Sequence, residues 1–159
     1  MIIFLNGSIN SGKSTVAKLL AAQLPRTALV EVDVLRNMID WMPIDEAIPI
    51  NLENAVALVR NFANNDLNVL VPYPLSEKNH AYVVESLKDV TTKIFFFTLA
   101  PRLEKVLSNR GHRELNEWER SRIRHHYDIG IPKPSFGIII DNSEQTAEET
   151  AGIIKAKVS

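Results

Sequence analysis

Short hydrophobic runs recur along the chain, separated by segments in which apolar residues follow a helical spacing. The runs cover residues 1–5, 28–32, 67–71, 93–99 and 137–141. The unbroken apolar run at 93–99 is typical of a parallel strand that is buried on both faces of its sheet. Five strands that alternate with helices in this way predict a parallel sheet with helices packed on both faces.

The segments between the runs place hydrophobic residues three and four positions apart, as amphipathic helices do. Ser76, Asn116 and Thr146 favour the capping position at the start of a helix. Pro43 and Pro49 are expected to interrupt the chain between the second and third helices. Helices are predicted at 15–24, 34–41, 51–65, 77–88, 101–109, 117–127 and from 147 onward.

The order of these elements predicts an α/β fold. A five-stranded parallel sheet is expected between two layers of helices, as a three-layer sandwich. A chain of 159 residues fits one domain over residues 1–159 and is long enough to bury a hydrophobic core.

A phosphate-binding loop stands between the first predicted strand and the first predicted helix. Gly7, Gly12, Lys13 and Ser14 occupy every fixed position of the pattern G-x-x-x-x-G-K-[ST]. Chance produces this pattern in well under roughly 1% of chains of this length, given a usual glycine frequency near 7%. Strand, glycine-rich loop and helix together form the setting that the motif requires.

The residue types of this loop account for its chemistry. Glycines allow the backbone to approach a phosphate closely, and the N–H groups of Asn10, Ser11 and Gly12 then form part of an anion-binding nest. The first turn of the helix adds unpaired N–H groups and the positive end of its dipole. Lys13 is expected to reach the β- and γ-phosphates, the hydroxyl of Ser14 to hold Mg²⁺, and Thr15 to add a phosphate contact.

Composition narrows the functional classes. The net charge is −1, and no basic tail or stripe points to nucleic acid or to a membrane surface. The chain has no cysteine, so disulfides, thiolate metal sites and cysteine nucleophiles are excluded. The longest apolar stretch is too short to span a bilayer. The absence of cysteine fits a reducing compartment, so a cytoplasmic protein is expected.

With its phosphate-binding loop and alternating strands and helices, the chain resembles the small P-loop kinases of the nucleoside monophosphate kinase type. This group includes shikimate kinase, gluconate kinase and chloramphenicol phosphotransferase. The resemblance covers nearly the whole chain, although it is specific only in the loop. It implies transfer of the γ-phosphoryl group of ATP, with Mg²⁺, to a hydroxyl of a small molecule bound at the carboxyl ends of the strands.

The resemblance also implies roles for residues outside the loop. Asp33 follows the second predicted strand, where similar kinases carry an aspartate that faces the acceptor hydroxyl and accepts its proton. Two alternatives for Asp33 are a water-mediated contact with Mg²⁺ and a helix cap. Arg110 and Arg113 fall where the family carries a lid, here expected near 110–127. Asn142 lies in the loop expected beside the adenine.

Three further residues are candidates for binding the acceptor. Arg36, one turn after Asp33, offers a guanidinium group for an anion, although a solvated helix arginine explains it equally well. Trp41 and Tyr73 offer an apolar wall, and core packing is the alternative for Trp41. A structural role is the favoured interpretation of Tyr73 and of two weaker candidates, Asn51 and Asn54. An anion and an apolar surface point to different acceptors, so the sequence leaves sugar acids, nucleosides and hydroxylated antibiotics open.

One departure from the family pattern affects the expected Mg²⁺ site. Many P-loop proteins carry an aspartate at the end of the third strand, but here Val71 is followed by Pro72-Tyr73-Pro74. Mg²⁺ would then depend on Ser14, the ATP phosphates, water and Asp33. The departure keeps a second hypothesis open, namely an ATP-binding regulatory module with little or no phosphoryl transfer.

Overall fold

A parallel sheet of five strands forms the centre of the computed structural model, which describes residues 1–108 and 114–158. Its spatial order is β2-β3-β1-β4-β5, and every neighbouring pair is parallel. This confirms the predicted parallel sheet. The strands are β1 (Ile2–Gly7), β2 (Thr27–Leu29), β3 (Asn68–Pro72), β4 (Ile94–Leu99) and β5 (Ile138–Ile140).

Helices connect successive strands and cover both faces of the sheet. A short 3-10 turn, Asn37–Ile39, follows the second of them. The helices are α1 (Lys13–Gln23), α2 (Val32–Arg36), α3 (Ile44–Asn64), α4 (Glu77–Ser86), α5 (Leu103–Leu107), α6 (Glu117–Asp128) and α7 (Ala147–Val158).

Strand β1 divides the hydrophobic core into two layers because successive side chains of a strand point to opposite faces. Ile2 and Phe4 pack with buried residues of α3 and α4. Ile3 and Leu5 pack with buried residues of α1 and α7. Helix, sheet and helix layers thus confirm the predicted three-layer α/β sandwich.

The second strand is shorter than the sequence predicts, and the following helix begins earlier. β2 ends at Leu29, although Val30 still donates its N–H to the carbonyl oxygen of Leu70 at 2.8 Å. Val30 and Val32 are both buried, one just after the strand and the other at the start of α2. Because a valine in either element fills the same core, the hydrophobic run at 28–32 did not mark the boundary between them.

The third helix also begins earlier than predicted, at Ile44 rather than at Asn51. Pro43 precedes the helix, and Pro49 lies within its second turn instead of interrupting it. Pro49 has no N–H to donate to the carbonyl of Asp45, so the helix lacks one hydrogen bond there. Ala47, in the first turn of the helix, is completely buried and packs the start of α3 into the core.

Gly137 sets the entry of the chain into the edge strand β5. It has a φ of 70°, and an added Cβ would lie 2.4 Å from the carbonyl oxygen of Phe96. We expect Gly137→Ala to lower the free energy of unfolding by about 2–4 kcal/mol, from left-handed strain and overpacking together. Denaturant unfolding followed by circular dichroism measures this loss.

Gly152 provides the matched control for that substitution. It lies in α7, is exposed, and has no atom within 4 Å of an added Cβ. Gly152→Ala should therefore raise stability by up to about 1 kcal/mol through its higher helix propensity. Equal effects of the two substitutions would contradict the steric role of Gly137.

Candidate functional site

A cleft of about 870 Å³ opens at the carboxyl ends of the central strands. Its walls come from the loop between β1 and α1, from α2 and the start of α3, from the segment after β3, from α6, and from the segment after β5. The side chains on these walls that carry polar chemistry are Asn10, Lys13, Ser14, Thr15, Asp33, Arg36, Asn51, Tyr73, Ser76, Asn79, Glu119, Arg122, His126, Asn142 and Gln145.

Backbone geometry explains the glycines of the phosphate-binding loop. Gly7 has a φ of 141°, and an added Cβ would lie 2.5 Å from the carbonyl oxygen of Leu99 and 2.6 Å from Ser11 Oγ. Gly12 has a φ of 97° and directly precedes α1. Asn10 also has a positive φ, of 62°, which asparagine tolerates better than most residues. Three of the six residues from Gly7 to Gly12 therefore have a positive φ.

The start of α1 faces the cleft and has the features expected of an anion-binding site. Gly12 makes no side-chain cap, and the backbone N–H groups of Ser14 and Thr15 have no acceptor within the helix. Both residues are exposed on the cleft wall. Lys13 Nζ donates to the carbonyl oxygen of Ser8 at 2.6 Å, which holds the ammonium group over the loop. A phosphate group fits the N–H groups and positive charge gathered here.

Two predicted nucleotide-binding residues lie beneath the loop rather than on the cleft wall. Gly7 belongs to the end of β1, and Ser11 is fully buried. Ser11 Oγ has no hydrogen-bond partner among the described residues. Asn142, which is on the wall, donates from Nδ2 to the carbonyl oxygen of Ser11 at 3.0 Å. Gly7 and Ser11 thus shape the loop from below, and Asn142 connects it to the segment after β5.

Asn10 fixes the outer side of the loop to the neighbouring helix. Its Nδ2 donates to the carbonyl oxygens of Val106 and Ser108, at 2.9 and 3.1 Å. Ile9 packs against the small hydrophobic cluster of Val106, Leu115 and Ile123. The loop is therefore held in place by α5 and α6 as well as by its own strand.

Asn6 is a positioning residue that the sequence did not reveal. It is completely buried, and its Oδ1 accepts from the backbone N–H groups of Gly7 and Leu75, both at 2.8 Å. Its Nδ2 donates to Thr98 Oγ1 at 3.1 Å and to the carbonyl oxygen of Ile131 at 3.3 Å. One amide thus joins four segments around the cleft. The signal for this role in the sequence was a single polar residue, Asn6, directly after the apolar run of the first strand.

His126 of α6 is a second residue that the sequence did not single out. Its side chain is 6% exposed, and its Nδ1 lies 3.2 Å from Ser8 Oγ. Burial first, and then the nearby charges of Lys13, Arg122 and His125, together lower the pKa of His126 to about 4. The imidazole is therefore neutral at pH 7 and forms a hydrogen bond to the loop without adding charge to the phosphate site.

Asp33 and Tyr73 both line the cleft, close enough for the charge of Asp33 to influence Tyr73. Asp33 lies in the first turn of α2, where it is exposed to the cleft, and the residue that precedes the helix is Glu31. The capping alternative for Asp33 is therefore wrong, because the helix starts before it. Burial raises the pKa of the Tyr73 hydroxyl, and the Asp33 carboxylate raises it further, whereas Arg122 opposes both effects.

Arg36 also lines the cleft, but backbone carbonyls occupy its guanidinium group. Nη1 donates to Ile39 O at 2.7 Å, and Nη2 donates to Met42 O at 2.7 Å and to Asp40 O at 3.5 Å. Arg36 thereby closes the turn after α2. Trp41 lies on that turn with 76% of its surface exposed, so it is neither on the cleft wall nor in the core.

The positive charge expected from a lid comes, in the described residues, from α6. Arg110 and Arg113 lie outside the described residues. Arg122 is on the cleft wall, close enough to Tyr73 and His126 to influence both pKa values. Arg120 instead donates to the carbonyl oxygen of Leu107 at 2.6 Å. The helix begins with a capping box between Asn116 and Glu119, which fixes its first residue.

The donor set suits Mg²⁺ held mainly by phosphate oxygens. Ser14 and Asp33 are on the wall of one cleft, and both offer the oxygen ligands that this ion prefers. β3 ends at Pro72, so no carboxylate follows it. Within residues 1–108 and 114–158, no group of three or more His, Asp or Glu side chains is arranged to hold a metal ion.

Comparison with known proteins gives matches at the level of structure. No protein-family model matches the chain, and no curated protein matches it. A tunicamycin resistance protein from Deinococcus radiodurans has a TM-score of 0.69 and 22% identity, over 99% of this chain and 95% of that one. APS kinase from Mycobacterium tuberculosis, in complex with AMPPNP and APS, has a TM-score of 0.72 and 19% identity, over 99% and 97% of the two chains.

Shikimate kinase from Acinetobacter baumannii, in complex with shikimate, has a TM-score of 0.65 and 20% identity. The match covers 99% of this chain and 92% of the kinase. These proteins share their fold with the present chain over nearly its full length. The fold is that of the small P-loop kinases, which confirms the resemblance drawn from the phosphate-binding loop.

In the ranges 1–108 and 114–158, no helix has both the length and the apolar character needed to cross a membrane.

The buried imidazole of His126 predicts a specific pH dependence of stability. The folded pKa of about 4 lies below the usual value of 6.5, so between these values the unfolded state binds the extra proton. Stability should therefore fall as the pH decreases from about 6.5 to 4, by on the order of 3 kcal/mol from this group. Chemical denaturation at pH 7 and pH 4.5 measures the change.

His126→Gln removes the titrating group, so this variant should lose less stability than the wild type over the same pH interval. His125→Gln is the matched control, because His125 is the neighbouring residue on the exposed side of α6. It should keep the wild-type dependence. Identical pH dependence in the wild type and His126→Gln would contradict the buried, neutral state.

Proposed function

We propose that the protein is an ATP- and Mg²⁺-dependent kinase that transfers the γ-phosphoryl group to a hydroxyl of a small molecule. The observation that carries this proposal is that one cleft contains Lys13 and Ser14 of the phosphate-binding loop together with Asp33 and Arg122. APS kinase and shikimate kinase, which share the fold, support phosphoryl transfer as the reaction class.

The loop side of the cleft would bind the triphosphate. The N–H groups at the start of α1 donate to phosphate oxygens, and Lys13 exchanges its contact with the Ser8 carbonyl for the β- and γ-phosphates. Ser14, with the phosphate oxygens and water, would hold Mg²⁺, and the ion would supply positive charge against the phosphate oxygens when bound. Asn142 Oδ1 is buried and has no partner among the described residues, so it offers an acceptor for the adenine amino group.

The acceptor side of the cleft would orient the attacking hydroxyl. Its oxygen forms a bond to the γ-phosphorus while the bond to the β–γ bridging oxygen breaks, and ADP leaves. The hydroxyl proton passes to the Asp33 carboxylate, which is exposed in the cleft and therefore accessible to the substrate. Arg122 stabilises the negative charge on the transferring group, and Arg110 and Arg113 are proposed to add to it from a lid.

The alternative function is an ATP-binding regulatory module. The observation that favours it is that β3 ends at Pro72, without the aspartate that helps to position Mg²⁺ in many P-loop proteins. Slow hydrolysis of ATP fits either function, but only the kinase responds to an acceptor. We further propose a cytoplasmic protein without nucleic-acid or membrane partners, on the basis of its composition.

Transfer of labelled γ-phosphate from ATP to a panel of acceptors tests the kinase directly. The panel contains sugar acids, nucleosides, nucleotides and hydroxylated antibiotics, and Lys13→Ala is the inactive control. A labelled product that disappears in the control supports the kinase. A protein that binds ATP but labels no acceptor supports the regulatory module.

Asp33→Asn separates nucleotide binding from transfer. The amide still fills the site but cannot accept the hydroxyl proton, so we expect turnover to fall by about 10²–10⁴-fold. ATP affinity, measured by calorimetry, should remain within about twofold, since binding rests mainly on the loop. Asp40→Asn, an exposed position on the turn after α2, is the matched control and should leave both quantities unchanged. Unchanged turnover in Asp33→Asn would remove Asp33 from the mechanism.

A further inference from the structure

A buried amide without a hydrogen-bond partner lies on the acceptor side of the cleft. Asn51 of α3 is 3% exposed, and its Oδ1 contacts no donor among the described residues. Asn51 is nevertheless on the cleft wall, together with Ile44 and Ile48. Residues at these spacings share one face of a helix, so α3 presents two isoleucines and one amide to the cleft.

Buried polar atoms are rarely left unpaired, because the loss of water is then not compensated by a protein contact. Within residues 1–108 and 114–158, three buried side-chain atoms have no partner: Ser11 Oγ, Asn51 Oδ1 and Asn142 Oδ1. Ser11 and Asn142 are joined to each other at the phosphate-binding loop. Asn51 stands apart from them, on the wall formed by α3. A ligand that donates a hydrogen bond would satisfy it there.

The charges around Asn51 indicate what kind of ligand this is. Asp33, on the same side, is a carboxylate that accepts hydrogen bonds and repels anions. Arg36, the cation of this wall, already donates to the carbonyls of Ile39, Asp40 and Met42. Lys13 and Arg122 line the cleft from the loop and from α6, and their positive charges disfavour a cationic acceptor. An acceptor with no net charge fits these surroundings.

We propose that the phosphoryl acceptor is an uncharged molecule with at least two hydrogen-bond donors and an apolar flank. One hydroxyl faces Asp33 and receives the phosphoryl group. A second hydroxyl or N–H group donates to Asn51 Oδ1, and the apolar flank packs on Ile44 and Ile48. The inference rests on the proposed kinase function, and it selects among the acceptor classes that the sequence left open.

Matched pairs of acceptors that differ only in an anionic group test the charge preference. The probes are methyl shikimate with shikimate, gluconamide with gluconate, and uridine with uridine monophosphate, each supplied with labelled ATP. We expect kcat/KM to be at least about tenfold higher for the neutral member of each pair. The anionic group of the other member would lose water beside Asp33 without a cation to compensate for the loss. Preference for the anionic members would overturn the inference about the acceptor but would not contradict the proposed kinase function. Labelling of no member would overturn both.

Asn51→Leu tests the amide itself. We expect KM for the most active neutral probe to rise about tenfold, while KM for ATP stays unchanged. The melting temperature should stay equal or rise by about 2–4 °C, because an unpaired buried amide is replaced by an apolar group of similar size. A structural role predicts the opposite, a lower melting temperature.

Asn54→Leu is the matched control, because Asn54 is an exposed asparagine one turn further along α3. It should leave both KM values unchanged. An unchanged acceptor KM in Asn51→Leu, or a rise of the same size in the control, would overturn the contact with Asn51. A melting temperature that falls in Asn51→Leu but not in Asn54→Leu would also overturn the proposed contact.

Discussion

The cleft depends on a single buried amide, that of Asn6. Its four hydrogen bonds join the end of β1 to the segments after β3 and α6 and to β4. In a dry interior these bonds fix relative positions more tightly than apolar packing, because an amide has directional donors and acceptors. The phosphate-binding loop starts at the next residue, so this amide, together with the contacts of Asn10 and Asn142, positions the loop relative to the cleft walls.

The sequence was sufficient for the sheet and for the loop because both depend on local patterns. The apolar runs marked all five strands, and Gly7, Gly12, Lys13 and Ser14 were recognisable from their spacing alone. The local pattern did not locate the boundary between two elements that bury the same kind of residue. Val30 and Val32 fill one core whether they end a strand or begin a helix, so the start of α2 was misplaced.

The rest of the site depends on contacts between residues that are far apart in the chain. His126 meets Ser8 across 118 positions, and no spacing rule within α6 distinguishes it from the exposed His125. From the sequence a structural role was the favoured interpretation of Asn51, and only the packing of α3 shows that its Oδ1 is buried and has no partner among the described residues. Conversely, Trp41 was a candidate for the acceptor wall because it is aromatic, but the turn after α2 places it outside the cleft wall.

Both edge strands of the sheet, β2 and β5, are only three residues long, whereas β1 and β4 each have six. An open edge offers unpaired N–H and C=O groups to any other extended chain, and longer edges are better templates for such pairing. The long, apolar strands of this protein are therefore enclosed in the middle of the sheet. This arrangement protects the folded protein against edge-to-edge aggregation even though Ile138 and Ile139 remain exposed on β5.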